Sequence, residues 1–250
     1  LFRSRNIRQD VATAEATQLR LAAAAAPAAQ AGAYRTAIDA AEAWDIANLA
    51  KAAGHFAAVP YVFRYCPIID TVREVAANES IHYLMFKFVG GMVDRYYQQN
   101  VTWVIDRKTS GGGPLLNLGI HHVDLCRVLL NGADLTVTGS MMSNRAAGLT
   151  IEDHGVMLMQ GGGASCMVES GYLYPAPNSV FDMHYSIRTD KHYFSARDNS
   201  MLEIVTNDRK RTTREMKLTN VFFYPEFVRD TLRSEEHTSE LQSHHDLVCR

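Results

Sequence analysis

Apolar residues change their spacing along this chain, and the changes mark its elements. Between Ala37 and Ala53 they recur at helical intervals, and Phe56 to Phe63 then forms a short apolar run that predicts a buried strand. Ile68 to Ala77 predicts a second helix, and Ile81 to Val89 a strand rich in aromatic and apolar side chains. Farther on, Thr136 to Met142, Val156 to Gln160, Ala164 to Ser170, Val180 to Arg188, Leu202 to Thr206 and Thr213 to Leu218 are short strand-like runs separated by Gly, Asn and Asp turns. Such a succession predicts an open, mainly antiparallel sheet with helices on one face, an α+β fold. Val11 to Ala31 is alanine-rich, favours helix and is broken by Pro27.

The most informative segment lies between the two halves of this pattern. Gly111-Gly112-Gly113 precedes Pro114, whose fixed φ suits a first helical residue, so a helix starts there. Asn117, His121 and Asp124 follow at spacings of four and three, which stacks them on one helical face. Leu116, Ile120, Val123 and Leu130 supply an adjoining apolar stripe. An imidazole on such a border can face a cleft and exchange protons near neutral pH, whereas Asn117 can hydrogen-bond but cannot act as a base. Spacing alone favours a surface helix with solvated polar groups.

The run Gly111-Gly112-Gly113-Pro114-Leu115-Leu116-Asn117-Leu118-Gly119-Ile120-His121-His122-Val123-Asp124 resembles the central signature of the Gfo/Idh/MocA oxidoreductases. Upstream, Val59 to Pro67 resembles that family's crossover from its first domain, with an aromatic-Arg-aromatic-x-Pro ending at Phe63, Arg64, Tyr65 and Pro67. Downstream, Glu152-Asp153 before an apolar strand resembles its acidic pair. The resemblance implies a remnant of a Rossmann domain, its last helix and strand at 37–64, followed by a substrate-binding and oligomerisation domain at 65–232. It implies an NAD(P)-dependent oxidoreductase that passes hydride between nicotinamide, from NAD or NADP, and a sugar, polyol or related hydroxylated substrate. His121 then matches the catalytic histidine, and Asn117 the residue that holds substrate hydroxyls or orients the histidine. Arg64, Trp103 and Asp124 fall where substrate contacts are expected, and Arg64 and Pro67 where the cofactor is approached. Trp103 is followed by Val104 where family members often carry arginine. Asp124 is expected in a structural role, and an interdomain salt bridge is the simplest alternative use of Arg64. A homo-oligomer formed through the sheet face is expected as well.

Two family features do not occur in the sequence. No G-x-G-x-x-G and no Glu-Lys-Pro is found, and the place expected for the latter reads Ala33-Tyr34-Arg35. Residues 233–250 open with Arg233 to Ser243, which resembles a translated sequencing adapter, and Leu1 to Ser4 resembles the opposite adapter's end. Residues 1–36 are left unassigned. The expectation is a truncated oxidoreductase that is inactive and binds no dinucleotide as it stands; the alternative is a non-catalytic carbohydrate-binding or oligomerisation module of the same family. A hydrolase or lyase using His121 with Asp124 would need a nucleophile in a recognisable setting, and none is present.

Composition narrows the classes further. The chain has 250 residues, 47% hydrophobic and 21% charged, with a net charge of −2, which fits a soluble globular protein of one large domain or parts of two. Basic residues are scattered, and Arg209-Lys210-Arg211 after Asn207-Asp208 reads as a hairpin turn, so no nucleic-acid partner is expected. No apolar run has the length of a membrane span, and no signal peptide is recognisable. Cys66, Cys126 and Cys166 stand in mixed or apolar surroundings and read as reduced thiols, hence a cytoplasmic protein. No metal site is expected: neither His154 with Glu152 and Asp153 nor the tail's His237, His244, His245 and Cys249 has zinc-ligand spacing. His82, His184 and His192 carry no motif, and Met141, Met142, Met157, Met159 and Met167 read as packing residues.

Overall fold

The computed structural model describes residues 59–175 and 181–236, together with residues 44, 45, 47–49 and 52 in helical conformation. Expectations for residues 1–43, most of 37–58 and 237–250 therefore lie outside the described residues. The chain divides into a unit spanning Pro60–Leu232 and a second made of Leu1–Val59 with Arg233–Cys249. All that follows concerns the first.

Val62–Tyr65 forms a 3₁₀ turn where the sequence predicts the end of a strand, because the chain must turn there to enter the next helix. Pro67 is the first residue of that helix, α1 (Pro67–Val75), and its missing N–H costs nothing at that position. Eight strands follow: β1 (Ile81–Gly91), β2 (Thr136–Ser143), β3 (His154–Gly161), β4 (Ala164–Tyr174), β5 (Asp182–Thr189), β6 (His192–Ala196), β7 (Met201–Thr206) and β8 (Arg211–Glu215). Between β1 and β2 the chain makes a helical excursion through α2 (Asp94–Gln98), a 3₁₀ turn (Thr102–Ile105), α3 (Arg107–Ser110), a π turn (Leu115–Gly119) and α4 (Ile120–Leu129). A last helix, α5, covers Tyr224–Glu236.

The strands make one sheet in the order β2-β3-β4-β1-β5-β6-β7-β8. It is antiparallel except at its centre, where β1 runs parallel to β4, since the excursion and two hairpins return the chain beside β1 in its own direction. Strand β6 is an element the sequence reading did not anticipate, its five residues being too short for a clear alternation. The turn at Asn207-Asp208 joins β7 to β8 as expected, with Arg209 at φ 67°.

One face of the sheet carries the core. Leu84, Phe86 and Phe88 of β1 align with Cys166 and Val168 of β4 and with Ile187, Tyr185 and Met183 of β5, and Ile68, Ile69, Val72, Leu125, Cys126 and Leu129 of α1 and α4 cover them. The buried residues of α4 are His122, Asp124, Leu125, Cys126 and Leu129; of the expected stripe, Val123 and Leu130 pack half-buried against the core while Leu116 is exposed. A π turn holds more residues than an α turn, so the helix enters α4 with its phase advanced and the stripe rotated. Of the five methionines expected to pack, Met159 is buried while Met141 and Met142 on edge strand β2 are exposed. No described helix is long and apolar enough to cross a membrane.

Candidate active site

The glycine loop acquires its shape from a clash it avoids. Gly111 ends α3 at φ 78°, a conformation that side chains disfavour. A Cβ on Gly113 would stand 2.0 Å from the backbone oxygen of Glu152, so only glycine lets the loop lie on that strand-entry segment. The next residue, Asp153, is 1% exposed; its carboxylate accepts the Ala147 N–H at 2.7 Å and its carbonyl accepts the Tyr172 N–H at 2.8 Å. The Glu152-Asp153 pair therefore seats the loop and also fixes Tyr172 on β4. That role is structural.

From this start the chain carries Asn117, His121 and Asp124 into two separate groups. In the first, Asp124 accepts both Nε (2.8 Å) and a terminal nitrogen (2.7 Å) of Arg64, a bidentate pair across the 3₁₀ turn and α4. Their side chains are 8% and 26% exposed respectively. Arg64, the third residue of the turn at Val62–Tyr65, thus ties that turn to α4 within one unit. Burial and the neighbouring Asp124 carboxylate push the Tyr61 hydroxyl up, and Tyr61 lies under the Arg64 guanidinium at 5.4 Å. Tyr61 also meets the His121 ring edge-on at 5.9 Å, while Phe63 lies against it at 5.7 Å.

His121 stands at the centre of this cluster. Its Nδ1 is buried and has no hydrogen-bond partner, and burial lowers its pKa below the ordinary histidine value, with the Asp124 charge opposing part of that effect. The imidazole is consequently neutral at neutral pH and has a free polar atom. Its neighbour His122 has the opposite character. Completely buried among Phe63, Phe86, Phe88 and Tyr185, it lies 3.2 Å from the Leu118 carbonyl and 3.0 Å from the Tyr185 hydroxyl. A carbonyl only accepts, so Nδ1 carries the proton and Nε2 accepts from Tyr185. Burial pushes the His122 pKa down to about 3, and the residue is a core linker between α4 and β5.

The second group forms around Asn117. Its amide nitrogen donates to the Tyr96 hydroxyl at 3.1 Å and to the Tyr172 hydroxyl at 3.0 Å. Arg95 donates to the same Tyr96 hydroxyl at 2.9 Å and lies over the rings of Tyr96 (4.7 Å) and Tyr172 (5.7 Å). Burial raises the Tyr172 hydroxyl far above its usual range, so it stays protonated. The two groups share Leu118, which packs against both hydrophobic clusters of the unit. Trp103 belongs to neither: 59% exposed, it lines a cavity of about 410 Å³ with Tyr97, Thr102, Ile105, Asp106 and Thr109. Pro67 is placed as the opening residue of α1.

Sequence reasoning missed Tyr61, Arg95, Tyr96 and Tyr172. A signal was present in Arg95-Tyr96-Tyr97, an aromatic cluster in an otherwise polar run, and in Tyr172 at the end of an apolar strand. Among the described residues no three His, Cys, Asp or Glu side chains gather as a metal site. His154 instead lies 3.1 Å from Glu169, diagonally across β3 and β4, where Glu169 is in register with Val156.

Comparison with known proteins adds an independent observation. Residues 82–195 match the GFO/IDH/MocA C-terminal domain. Among solved structures, the chain is similar to an inositol dehydrogenase homolog from Azotobacter vinelandii in complex with NADH and myo-inositol (18% identity, TM-score 0.57, covering 70% of this chain and 46% of that one). It is similar also to a levoglucosan dehydrogenase in complex with NADH and levoglucosan (15% identity, TM-score 0.52, covering 66% and 47%). A third similar structure is an oxidoreductase from Agrobacterium radiobacter in complex with NAD+, L-tartaric acid and magnesium (18% identity, TM-score 0.56, covering 92% and 68%). The chain spans about half the length of the first two. No curated protein matches its sequence.

Proposed function

We propose, from the premise that this chain carries the C-terminal portion of a Gfo/Idh/MocA family protein, that it is the substrate half of a nicotinamide-dependent oxidoreductase acting on a hydroxylated small molecule. The observation that carries the reading is His121: a neutral imidazole on the signature helix, with a buried Nδ1 left without a partner and aromatic walls at Tyr61 and Phe63. When substrate is oxidised, its hydroxyl proton passes to His121 as hydride leaves the same carbon; in the reverse direction His121 returns it. Asn117, with its nitrogen engaged by Tyr96 and Tyr172, keeps its carbonyl oxygen for a substrate hydroxyl. Arg64 and Asp124 neutralise one another and hold the turn and helix on either side of His121 in register.

The residues present fit one end of the cofactor. A bound nicotinamide supplies the hydride acceptor or donor, and the aromatic wall beside His121 suits its ring; NAD and NADP are both compatible with it. The sequence holds no glycine-rich cradle for a pyrophosphate and no Glu-Lys-Pro lysine, so every step assigned here rests on His121 and Asn117 alone.

Self-association through the sheet accompanies this function. On the face opposite the core, Met167 and Leu158 align in register, with Met141 opposite Val156 beside them, and Leu158 and Met141 are exposed. A second copy would bury this row.

The test is hydride transfer, followed by the absorbance of the reduced nicotinamide, in a protein that joins this chain to a dinucleotide-binding domain. Replacing His121 by Ala should lower kcat about 10²- to 10⁴-fold at neutral pH. A variant that retains the parent rate would remove His121 from the chemistry.

A further inference from the structure

Arg95 poses a question that the hydroxyl-reading role of its neighbours leaves unanswered. It is a partly buried cation with no carboxylate in reach among the described residues; its one side-chain hydrogen bond goes to a neutral phenol, Tyr96. Its Nε is buried and has no acceptor. Two tyrosine rings supply its remaining compensation, and a Cβ added to Gly90 would stand only 3.2 Å from one terminal nitrogen, so the strand end is kept bare where the guanidinium lies. By contrast, Arg64 is paired with Asp124 and Arg214 with Glu74. A partly desolvated guanidinium without an anion is costly in isolation and selects for an anionic partner, because its fork of donors suits a carboxylate and charge-assisted hydrogen bonds are the strong ones.

Its position says where that anion sits. Arg95 and Asn117 donate to the same Tyr96 hydroxyl, so a ligand that places a hydroxyl on Asn117 brings its neighbouring atoms beside Arg95. We propose that the ligand of this site carries a carboxylate on its hydroxylated carbon chain, a sugar acid or hydroxy acid in place of a neutral polyol, and that Arg95 binds that carboxylate. This inference rests on the reading of Asn117 as the hydroxyl-binding residue.

The experiment compares D-gluconate with D-sorbitol, which has the same six-carbon chain but a neutral end, by calorimetric titration into the full 250-residue chain at pH 7. Gluconate should bind at least about tenfold tighter than sorbitol. The preference should fall to about twofold or less in Arg95→Gln and persist in part in Arg95→Lys, which keeps the charge but loses the fork. Added salt should weaken gluconate and leave sorbitol unchanged, a measurement that decides the matter even where Arg95→Gln fails to fold. Sorbitol binding as well as gluconate, or a gluconate preference that survives in Arg95→Gln, would overturn the anion assignment and leave the hydroxyl reading intact. Binding of neither at tens of millimolar would overturn both.

Discussion

Replacing Asp124 by Asn tests the link between scaffold and chemistry. The substitution preserves shape and removes one charge from a bidentate pair whose carboxylate is 8% and whose guanidinium is 26% exposed. Deleting one partner of a fully buried pair costs about 3–5 kcal/mol. Because Arg64 keeps a path to water, and because an amide oxygen can still accept one of its hydrogen bonds, the loss here is about 2 kcal/mol. For a unit of this size that corresponds to a fall in Tm of about 4–8 °C. The same substitution acts on His121. Burial holds that pKa below the ordinary value and the Asp124 charge partly opposes burial, so removing the charge lowers it further. Thermal denaturation gives the first number, and NMR titration of the imidazole gives the second. A Tm that does not move, together with an unchanged His121 titration, would refute the assignment of Arg64 and Asp124 as a coupled pair at this site.

Three further outcomes follow from the geometry. Gly113→Ala should destabilise the unit by about 2 kcal/mol or more in urea, because its Cβ would meet the Glu152 oxygen and the loop must shift; a variant of parental stability would mean that the loop does not rest on that segment. His122 is neutral in the fold, with a pKa near 3, and reverts to about 6.5 when unfolded, so the unfolded chain binds the extra proton. Stability from this residue is present above about pH 6.5 and is lost on acidification at about 1.4 kcal/mol per pH unit until the folded pKa is reached; His122→Gln should flatten that slope, and an unaltered slope would place the acid sensitivity elsewhere. Tyr172→Phe should cost about 1 kcal/mol, since Asn117 loses an acceptor inside a partly buried group, and should weaken ligand binding while leaving the His121 titration in place. A shifted His121 titration in that variant would show that the two groups are not independent.

Much of the scaffold was legible because its patterns are strong. Seven of the eight strands overlap the runs that alternation and turn residues mark, β8 lying two residues earlier than its run, and the Gly-Pro boundary marks the start of the signature helix. What escaped depended on contacts between distant segments. The buried face of α4 could not be read from spacing, since one π turn rotates the helix and lets a histidine, His122, take a core position that apolar counting assigns to its neighbours. Tyr96 and Tyr172 reach Asn117 from α2 and β4, a meeting that only the fold defines. Asn117, His121 and Asp124 share a helical stretch as their spacing predicts, yet their partners separate them into two groups.

The most direct test of the central claim is NMR titration of the chain with its histidines ¹³C-labelled, with and without D-gluconate. The account predicts that His121 is neutral at pH 7 and titrates below the ordinary histidine range, that its resonances move on ligand addition, and that those of His122 do not titrate above about pH 4. A His121 that titrates like a solvated imidazole and ignores the ligand, while another histidine responds, would contradict it.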